Sequence, residues 1–332
     1  MKYSYLGNSG LQVSSLALGT MNFGPFTEEK EAFRIMDEAL DSGINFFDTA
    51  NMYGAMSPEG YTGWTEEIIG KWFKQGNNRR ERVILSTKLY WPMNDLTYGP
   101  NDDPGVSAYK IRRNLEDSLK RLQTDHIDLY LMHRPDRRTT WNELWTAFEC
   151  AVNSGKIIYV GACNFNAYDL AKAQWSADKR NSLGLISAQN RYNLLYRNCE
   201  GEFLPAVQEL GLGLMCWSPL AEGFLAGNYL QNQGTRRGMV ESIDESHINR
   251  LEKYSQFCKE IGKTEAEVAL AWLMHQPVVT CPIIGPRTIE HFRKSITAVD
   301  VELSNEMLNE LDNLFPGTKP YIEQGLSWKE VK

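Results

Sequence analysis

Asp48, Tyr53, Lys88 and His133 are four residues whose types, brought together, could move protons on a small molecule. A phenol can donate a proton. An ammonium beside it can tune its acidity, a carboxylate can hold that ammonium in an apolar place, and an imidazole can hydrogen-bond an oxygen that gains charge. Their positions are as informative as their types. Asp48 ends the apolar run Asn45-Phe46-Phe47, Lys88 ends Val83-Ile84-Leu85-Ser86-Thr87, and His133 ends Ile127-Asp128-Leu129-Tyr130-Leu131-Met132. Tyr53 follows Asp48 by five residues. Three of the four close a strand-like stretch, and in a barrel of parallel strands all such ends meet on one face, where chemistry is done.

The elements that would position them alternate along the chain. Short apolar runs at 15–20, 44–48, 83–88, 127–133, 158–163, 185–189, 213–217 and 279–284 read as strands covered on both faces. Helical patterns lie at 28–42, 65–75, 106–122, 139–154, 167–178, 201–211 and 264–275, with a final pair at 288–298 and 304–314. In 106–122, Ile111, Leu115, Leu119 and Leu122 recur at three- and four-residue spacing. Thr27, Thr65 and Ser304 read as N-caps followed by acids, and Gly43, Gly155 and Gly211 as C-terminal caps. Eight strand–helix units in order predict an α/β fold, a (β/α)8 TIM barrel. Residues 2–14 read as an N-terminal β-hairpin around Asn8-Ser9-Gly10 that closes the barrel bottom. Residues 90–105 and 219–262 read as long loops on the C-terminal face, the kind of length that usually carries function. With no composition shift, the whole of 1–332 is expected to be one domain, 304–332 being a C-terminal extension.

Composition narrows the function. At 332 residues and 42% hydrophobic content the core can be large. No run of eighteen apolar residues occurs, so no membrane span is expected. The start, Met1 to Gly7, lacks the apolar region of a secretion signal, and the six cysteines form no Cys-x-x-Cys pair; reduced thiols in a cytoplasm are the expectation. A net charge of −7 without a basic block argues against nucleic acid. Five scattered histidines argue against a metal site. Without a carboxylate pair or a metal cluster at the strand ends, a hydrolase or isomerase on the same barrel is disfavoured. Oligomeric state is not legible.

The segment Gly43-Ile-Asn-Phe-Phe-Asp-Thr-Ala-Asn-Met-Tyr-Gly54 resembles the first signature of the aldo-keto reductase superfamily. Ser86-Thr-Lys88, Leu131-Met-His-Arg-Pro-Asp136, Gly161-Ala-Cys-Asn164, Gln189-Asn190, Trp217-Ser-Pro-Leu220 and Ile284-Gly-Pro-Arg287 follow in that family's order, over nearly the whole chain. The form of these motifs is closer to the bacterial reductases and potassium-channel β-subunits than to the mammalian aldose reductases. The resemblance implies reversible reduction of an aldehyde or ketone, sugar-derived or small and aromatic, by NADPH. Hydride attack on a carbonyl builds charge on oxygen, so a proton donor must wait there. Tyr53 is the expected acid, with Lys88 lowering its pKa, Asp48 holding Lys88 and His133 orienting the carbonyl. The alternative is an NADPH-bound regulatory subunit with little turnover. The channel β-subunits replace the histidine by Asn, and the retained His133 favours an enzyme.

For the cofactor, the resemblance implies Thr20, Met21 and Asp48 at its border, Trp217 stacked on the nicotinamide, and Asn164 and Gln189 on the carboxamide. Ser218, Pro219, Leu220 and Gly223 would wrap the pyrophosphate, and Gly285, Arg287 and His291 would meet the adenosine end. No Gly-x-Gly-x-x-Gly opens a helix, so no Rossmann domain is expected. Arg287 suits a 2′-phosphate dianion, favouring NADPH over NADH. Two departures bear on that grip. Asn228 replaces the Lys of the family's Gly-Lys-Tyr, with Arg236 and Arg237 as substitutes, and Lys294-Ser295 replaces Glu-Asn. Cys163 stands where relatives often have Ser and is not read as a nucleophile. Phe23, Tyr90 and Trp91, with Trp64 and His133, are the candidate lining of a pocket for a small carbonyl substrate.

Overall fold

The computed structural model describes residues 1–227 and 245–318. Asn228, Tyr229, Arg236 and Arg237, and the end of the C-terminal extension, lie outside them. The described residues form ten strands: β1 (Tyr3–Tyr5), β2 (Gln12–Ser14), β3 (Ala17–Gly19), β4 (Phe46–Asp48), β5 (Ile84–Leu89), β6 (Ile127–Met132), β7 (Ile157–Cys163), β8 (Leu185–Arg191), β9 (Gly213–Trp217) and β10 (Val279–Ile284). Strands β3 to β10 pair in parallel in chain order, and β10 returns to β3, closing an eight-stranded barrel.

The helices between them are α1 (Glu29–Asp41), α2 (Trp64–Lys74), α3 (Arg79–Arg82), α4 (Ala108–Leu122), α5 (Trp141–Asn153), α6 (Ala167–Asp178), α7 (Phe203–Glu209), α8 (Glu245–Glu260), α9 (Glu265–Met274), α10 (Ile289–Ile296) and α11 (Asn305–Leu314). Parallel strands need crossovers of this length, and a ring of helices covers their outer faces. None of the described helices is long and apolar enough to cross a membrane.

The strand period of two sorts each strand's residues. Ala17, Phe46, Leu129, Leu131, Met215 and Ile283 fill the barrel interior. Their neighbours Leu18, Phe47, Tyr130, Met132 and Leu214 face the helices. On α4, Ile111, Leu115, Leu119 and Leu122 are all buried, as their spacing requires. The β1–β2 hairpin closes the bottom. Leu6 and Val13 join the interior cluster, and the Asn8 amide donates to the Gly211 carbonyl just before β9.

Caps follow the sequence in part. Ser304 accepts from the Met307 amide at 3.3 Å, and Gly43, Gly155 and Gly211 take the left-handed φ expected just past a helix. Thr27 and Thr65 do not cap. Helix α1 starts at Glu29, which puts Glu28 and not Thr27 at the N-cap position, and the Thr27 hydroxyl instead donates to the Arg287 carbonyl at 3.0 Å. Gly63, at φ 93°, starts α2 early, which leaves Thr65 inside the helix, buried and donating to the Phe23 carbonyl at 2.8 Å. In both cases a long-range partner outcompetes the local one. Residues 219–262 are not one loop either. The described part holds a tight turn at Ala221–Ala226 and helix α8, whose Leu251, Tyr254 and Phe257 are buried.

Candidate active site

Strand alternation puts Asp48 two residues after the interior Phe46, and His133 two after the interior Leu131. Register puts Asp48 opposite Ser86 and Lys88 opposite Leu131. Inward-facing strand ends therefore converge without any special loop. Tyr53 arrives from the segment between β4 and α2, which is tied down by Tyr53 N–H to the Ala50 carbonyl and Thr65 N–H to the Tyr53 carbonyl.

Lys88 is the centre. Its fully buried ammonium donates to Asp48 Oδ2 at 2.7 Å, the Thr49 carbonyl at 2.8 Å and Tyr53 OH at 3.2 Å. The second Asp48 oxygen accepts from Ser86 Oγ at 2.7 Å and Gln189 Nε2 at 2.8 Å. The carboxylate is thus saturated, as a buried charge must be. The His133 ring meets Tyr53 edge-on, centroids 6.0 Å apart, and Tyr53 is buried.

Burial raises the Tyr53 pKa; Lys88 lowers it, as expected, but burial outweighs that effect and Asp48, whose negative charge lies just beyond the ammonium, opposes it. Tyr53 is therefore a neutral phenol at neutral pH. Burial alone would depress the Lys88 ammonium, but Asp48 and Tyr53 carry it above its ordinary value. His133 is pushed well below 6.5 by burial and then by Lys88 and Arg134. It is a neutral imidazole, with its Nδ1 buried and without a protein partner. Burial pushes the Cys163 thiol up to about 12, which keeps it protonated and unreactive.

Beside this cluster, Asn164 has a left-handed backbone (φ 59°) that turns its amide into a bridge. It accepts from Trp217 Nε1 at 3.1 Å and donates to the His133 carbonyl at 3.1 Å. Gln189 is buried and braces Asp48, a role its sequence position did not suggest. Beyond Trp217 the chain turns sharply. Ser218, Ala221, Glu222 and Gly223 have φ of 50°, 47°, 53° and 99°, and no described residue lies within 4 Å of where a Gly223 Cβ would stand. Three non-glycine residues in that region mark a strained, specifically shaped segment. Glu222 accepts from Ser218 Oγ at 2.9 Å and pairs with Arg191 at 3.0 Å, so its charge is offset. The Arg191–Glu222 pair went unseen in the sequence, because 31 residues separate the partners and only the β8–β9 pairing joins them.

On the β10 side, Gly285 is exposed, and half-buried Arg287 lies over Phe26 at 4.7 Å. His291 is pushed down by burial and by the neighbouring charges of Lys294 and Arg287. Three basic side chains thus share one small region. An open, strained turn on one side and a basic cluster on the other fit a dinucleotide that carries an extra phosphate. Among the described residues no cluster of His, Cys, Asp and Glu could hold a metal ion.

The remaining expected residues are placed as follows. Thr20 is buried, its hydroxyl donating to the Asp48 carbonyl at 3.0 Å, and Met21 beside it is half-buried. Pro219 is buried and Leu220 half-buried. Tyr90 and Trp91 are half-buried and meet edge-on at 5.2 Å. Trp64 stacks on Tyr61 at 5.5 Å. Phe23 is withdrawn as a pocket residue. It is fully buried in the layer between barrel and helices, where the apolar ring is drawn inward.

A closed parallel barrel with an Asp–Lys–Tyr–His cluster at its C-terminal mouth defines a barrel oxidoreductase. The chain belongs to the aldo/keto reductase family, whose model matches residues 15–315. It is 55% identical over 329 residues to an uncharacterized oxidoreductase, YrpG, of Bacillus subtilis (99% of this chain, 100% of the relative). It is 33% identical over 341 aligned residues to a putative aryl-alcohol dehydrogenase of Schizosaccharomyces pombe (93% and 94%). A probable voltage-gated potassium channel subunit beta of Arabidopsis thaliana is 33% identical over 317 residues (91% and 92%).

Proposed function

We propose that this oxidoreductase reduces aldehydes or ketones to alcohols with NADPH, Tyr53 acting as the general acid. The observation that carries the reading is the Lys88 ammonium held between Asp48 Oδ2 (2.7 Å) and Tyr53 OH (3.2 Å) at the barrel mouth. When bound, the reduced dinucleotide supplies the hydride. Trp217 and Asn164 would face its nicotinamide, and Gln189, bonded to Asp48, would sit beneath. Ser218 to Gly223 would take its pyrophosphate, and Gly285, Arg287 and His291 its adenosine phosphate.

The chain's own residues do the rest. Neutral His133 donates a hydrogen bond to the carbonyl oxygen and polarises it. Tyr53 transfers its proton to that oxygen as charge builds, and the phenolate left behind is held by Lys88. Asp48 keeps Lys88 charged and fixed. Half-buried Tyr90 and Trp91 offer flat apolar faces, in keeping with the aryl-alcohol name of the fission-yeast relative.

The test is NADPH oxidation by purified protein over a panel of aromatic and sugar-derived aldehydes, with Tyr53→Phe alongside. Turnover should occur, and the variant should lose about 10²- to 10⁴-fold in kcat while still quenching tryptophan fluorescence with NADPH. Near-normal turnover by Tyr53→Phe would remove the acid role. Binding of NADPH with no turnover on any aldehyde would favour a regulatory role, as the channel-subunit relative's name suggests.

A further inference from the structure

The cation next to the reacting centre has no role in the chemistry just described. Arg134 follows His133 directly and is exposed at the mouth. Its guanidinium lies over the Trp91 ring at 5.0 Å, and Trp91 in turn meets Tyr90. Around it, the other arginines of this loop are paired. Arg137 holds Asp169 at 2.7 Å, and Arg138 holds Asp103 at 2.9 Å and Asp136 at 3.1 Å. Asp136, two residues from Arg134, is fully used. It accepts from Arg138 and from the Val106 amide at 2.9 Å, clamping the 90–105 loop to the end of β6. Among the described residues Arg134 has no carboxylate partner. The guanidinium is therefore held on the Trp91 ring and, being exposed, is open to solvent and to an incoming anion.

We propose that Arg134 is a specificity-determining residue that recognises an anionic group, carboxylate or phosphate, on the carbonyl substrate. The inference rests on the reductase reading above and names its substrate class. A guanidinium fixed on an aromatic face keeps its N–H edge free for an oxyanion, with two parallel bonds when the anion is flat. The anion would sit on a substrate group other than the carbonyl, because the Arg134 guanidinium stands over Trp91 while the Tyr53–His133 pair takes the carbonyl. The charge of Arg134 also reaches inward, being one cause of the lowered His133 pKa. An anion bound to Arg134 would weaken that effect.

The experiment uses the full chain with NADPH and two substrate pairs: para-carboxybenzaldehyde against para-tolualdehyde, and glyceraldehyde phosphate against glyceraldehyde. The wild type should prefer the anionic member of at least one pair by roughly tenfold in kcat/KM, chiefly through KM. That is the scale of one partly solvated charge-assisted bond. Which pair responds tells carboxylate from phosphate. Arg134→Gln should erase the preference and Arg134→Lys should keep part of it, and added salt should narrow it in the wild type. If Arg134 merely braces Trp91, Arg134→Gln will lower both members of a pair alike, and the proposal fails while the reductase reading stands. Equal wild-type rates on both members of both pairs also overturn it. Turnover of no aldehyde at all sinks the reductase reading, and this inference with it.

Discussion

Replacing Asp48 by Asn should damage the protein through Lys88, and in a pH-dependent way. In the wild type, Asp48 Oδ2 accepts from Lys88 while Oδ1 accepts from Ser86 and Gln189. An Asn amide has one acceptor oxygen. If that oxygen serves Ser86 and Gln189, its NH2 faces the Lys88 ammonium; flipped, its NH2 faces the Gln189 NH2. Either way two donors oppose each other: with the oxygen toward Ser86 and Gln189 the buried ammonium keeps only the Thr49 carbonyl and Tyr53 OH, and in the flipped form it keeps a neutral oxygen in place of the carboxylate. Removing one partner of a buried pair costs about 3–5 kcal/mol. With an unfolding entropy of about 2.1 cal/mol/K per residue, this corresponds to a fall of about 4–7 °C in Tm for a chain of this length.

The pH sign separates this mechanism from simple packing damage. In the wild type Lys88 is raised by Asp48, so its contribution is complete below the unfolded lysine pKa and is lost only at strongly alkaline pH. In Asp48→Asn burial loses its main opponent, only the weaker effects of Tyr53 and Cys163 remaining, and the Lys88 pKa should drop below its unfolded value. The unfolded chain then binds the extra proton, and the variant gains stability as pH rises through that window, by up to about 1.4 kcal/mol per unit. Urea unfolding at pH 7 and pH 9 would show the variant recovering ground on the wild type. Adding Lys88→Met to Asp48→Asn should also restore stability, since no buried charge is then left alone. A loss under about 1 kcal/mol with identical pH trends for both proteins would refute the reasoning.

Two further outcomes are expected. Arg287→Ala should weaken NADPH binding by about 10- to 100-fold, the value of a charge-assisted phosphate contact, and NADH binding much less; equal losses in fluorescence titrations would remove Arg287 from the 2′-phosphate. His133 is held far below 6.5, so the unfolded chain takes its proton first as pH falls; the stability it supports is complete above about 6.5 and lost below. His133→Asn should therefore show a shallower acid loss in denaturant midpoints between pH 7 and pH 5, and parallel slopes would contradict the buried neutral imidazole.

Most of the framework could be read from the chain because it depends on local periodicity. A period of two fixes that Asp48 faces the same way as Phe46, and His133 the same way as Leu131. Once eight such strands close into a barrel, convergence of their ends follows. The misplaced details all belong to competition between near and distant partners. Thr27 and Thr65 have cap-forming side chains, but carbonyls 260 and 42 residues away claimed them. Helix α8 lies in a stretch that its length alone marked as loop. Phe23 sits close to the site in sequence, but its ring lies between barrel and helices, a choice made by packing around α1 and α2.

The acid's pKa is the instructive case. Lys88 was rightly placed against Tyr53, but the sign of the outcome depends on how two opposing effects balance, and neither burial nor the position of Asp48 behind the ammonium is a local property. Because burial outweighs the field of Lys88, which Asp48 also opposes, the pair does not pre-ionise Tyr53. It leaves a neutral phenol and waits to stabilise the phenolate that proton transfer produces. Under the function proposed above, a Tyr53 held neutral chiefly by burial would suit proton donation at neutral pH, whereas alcohol oxidation would need it to ionise first, against that burial.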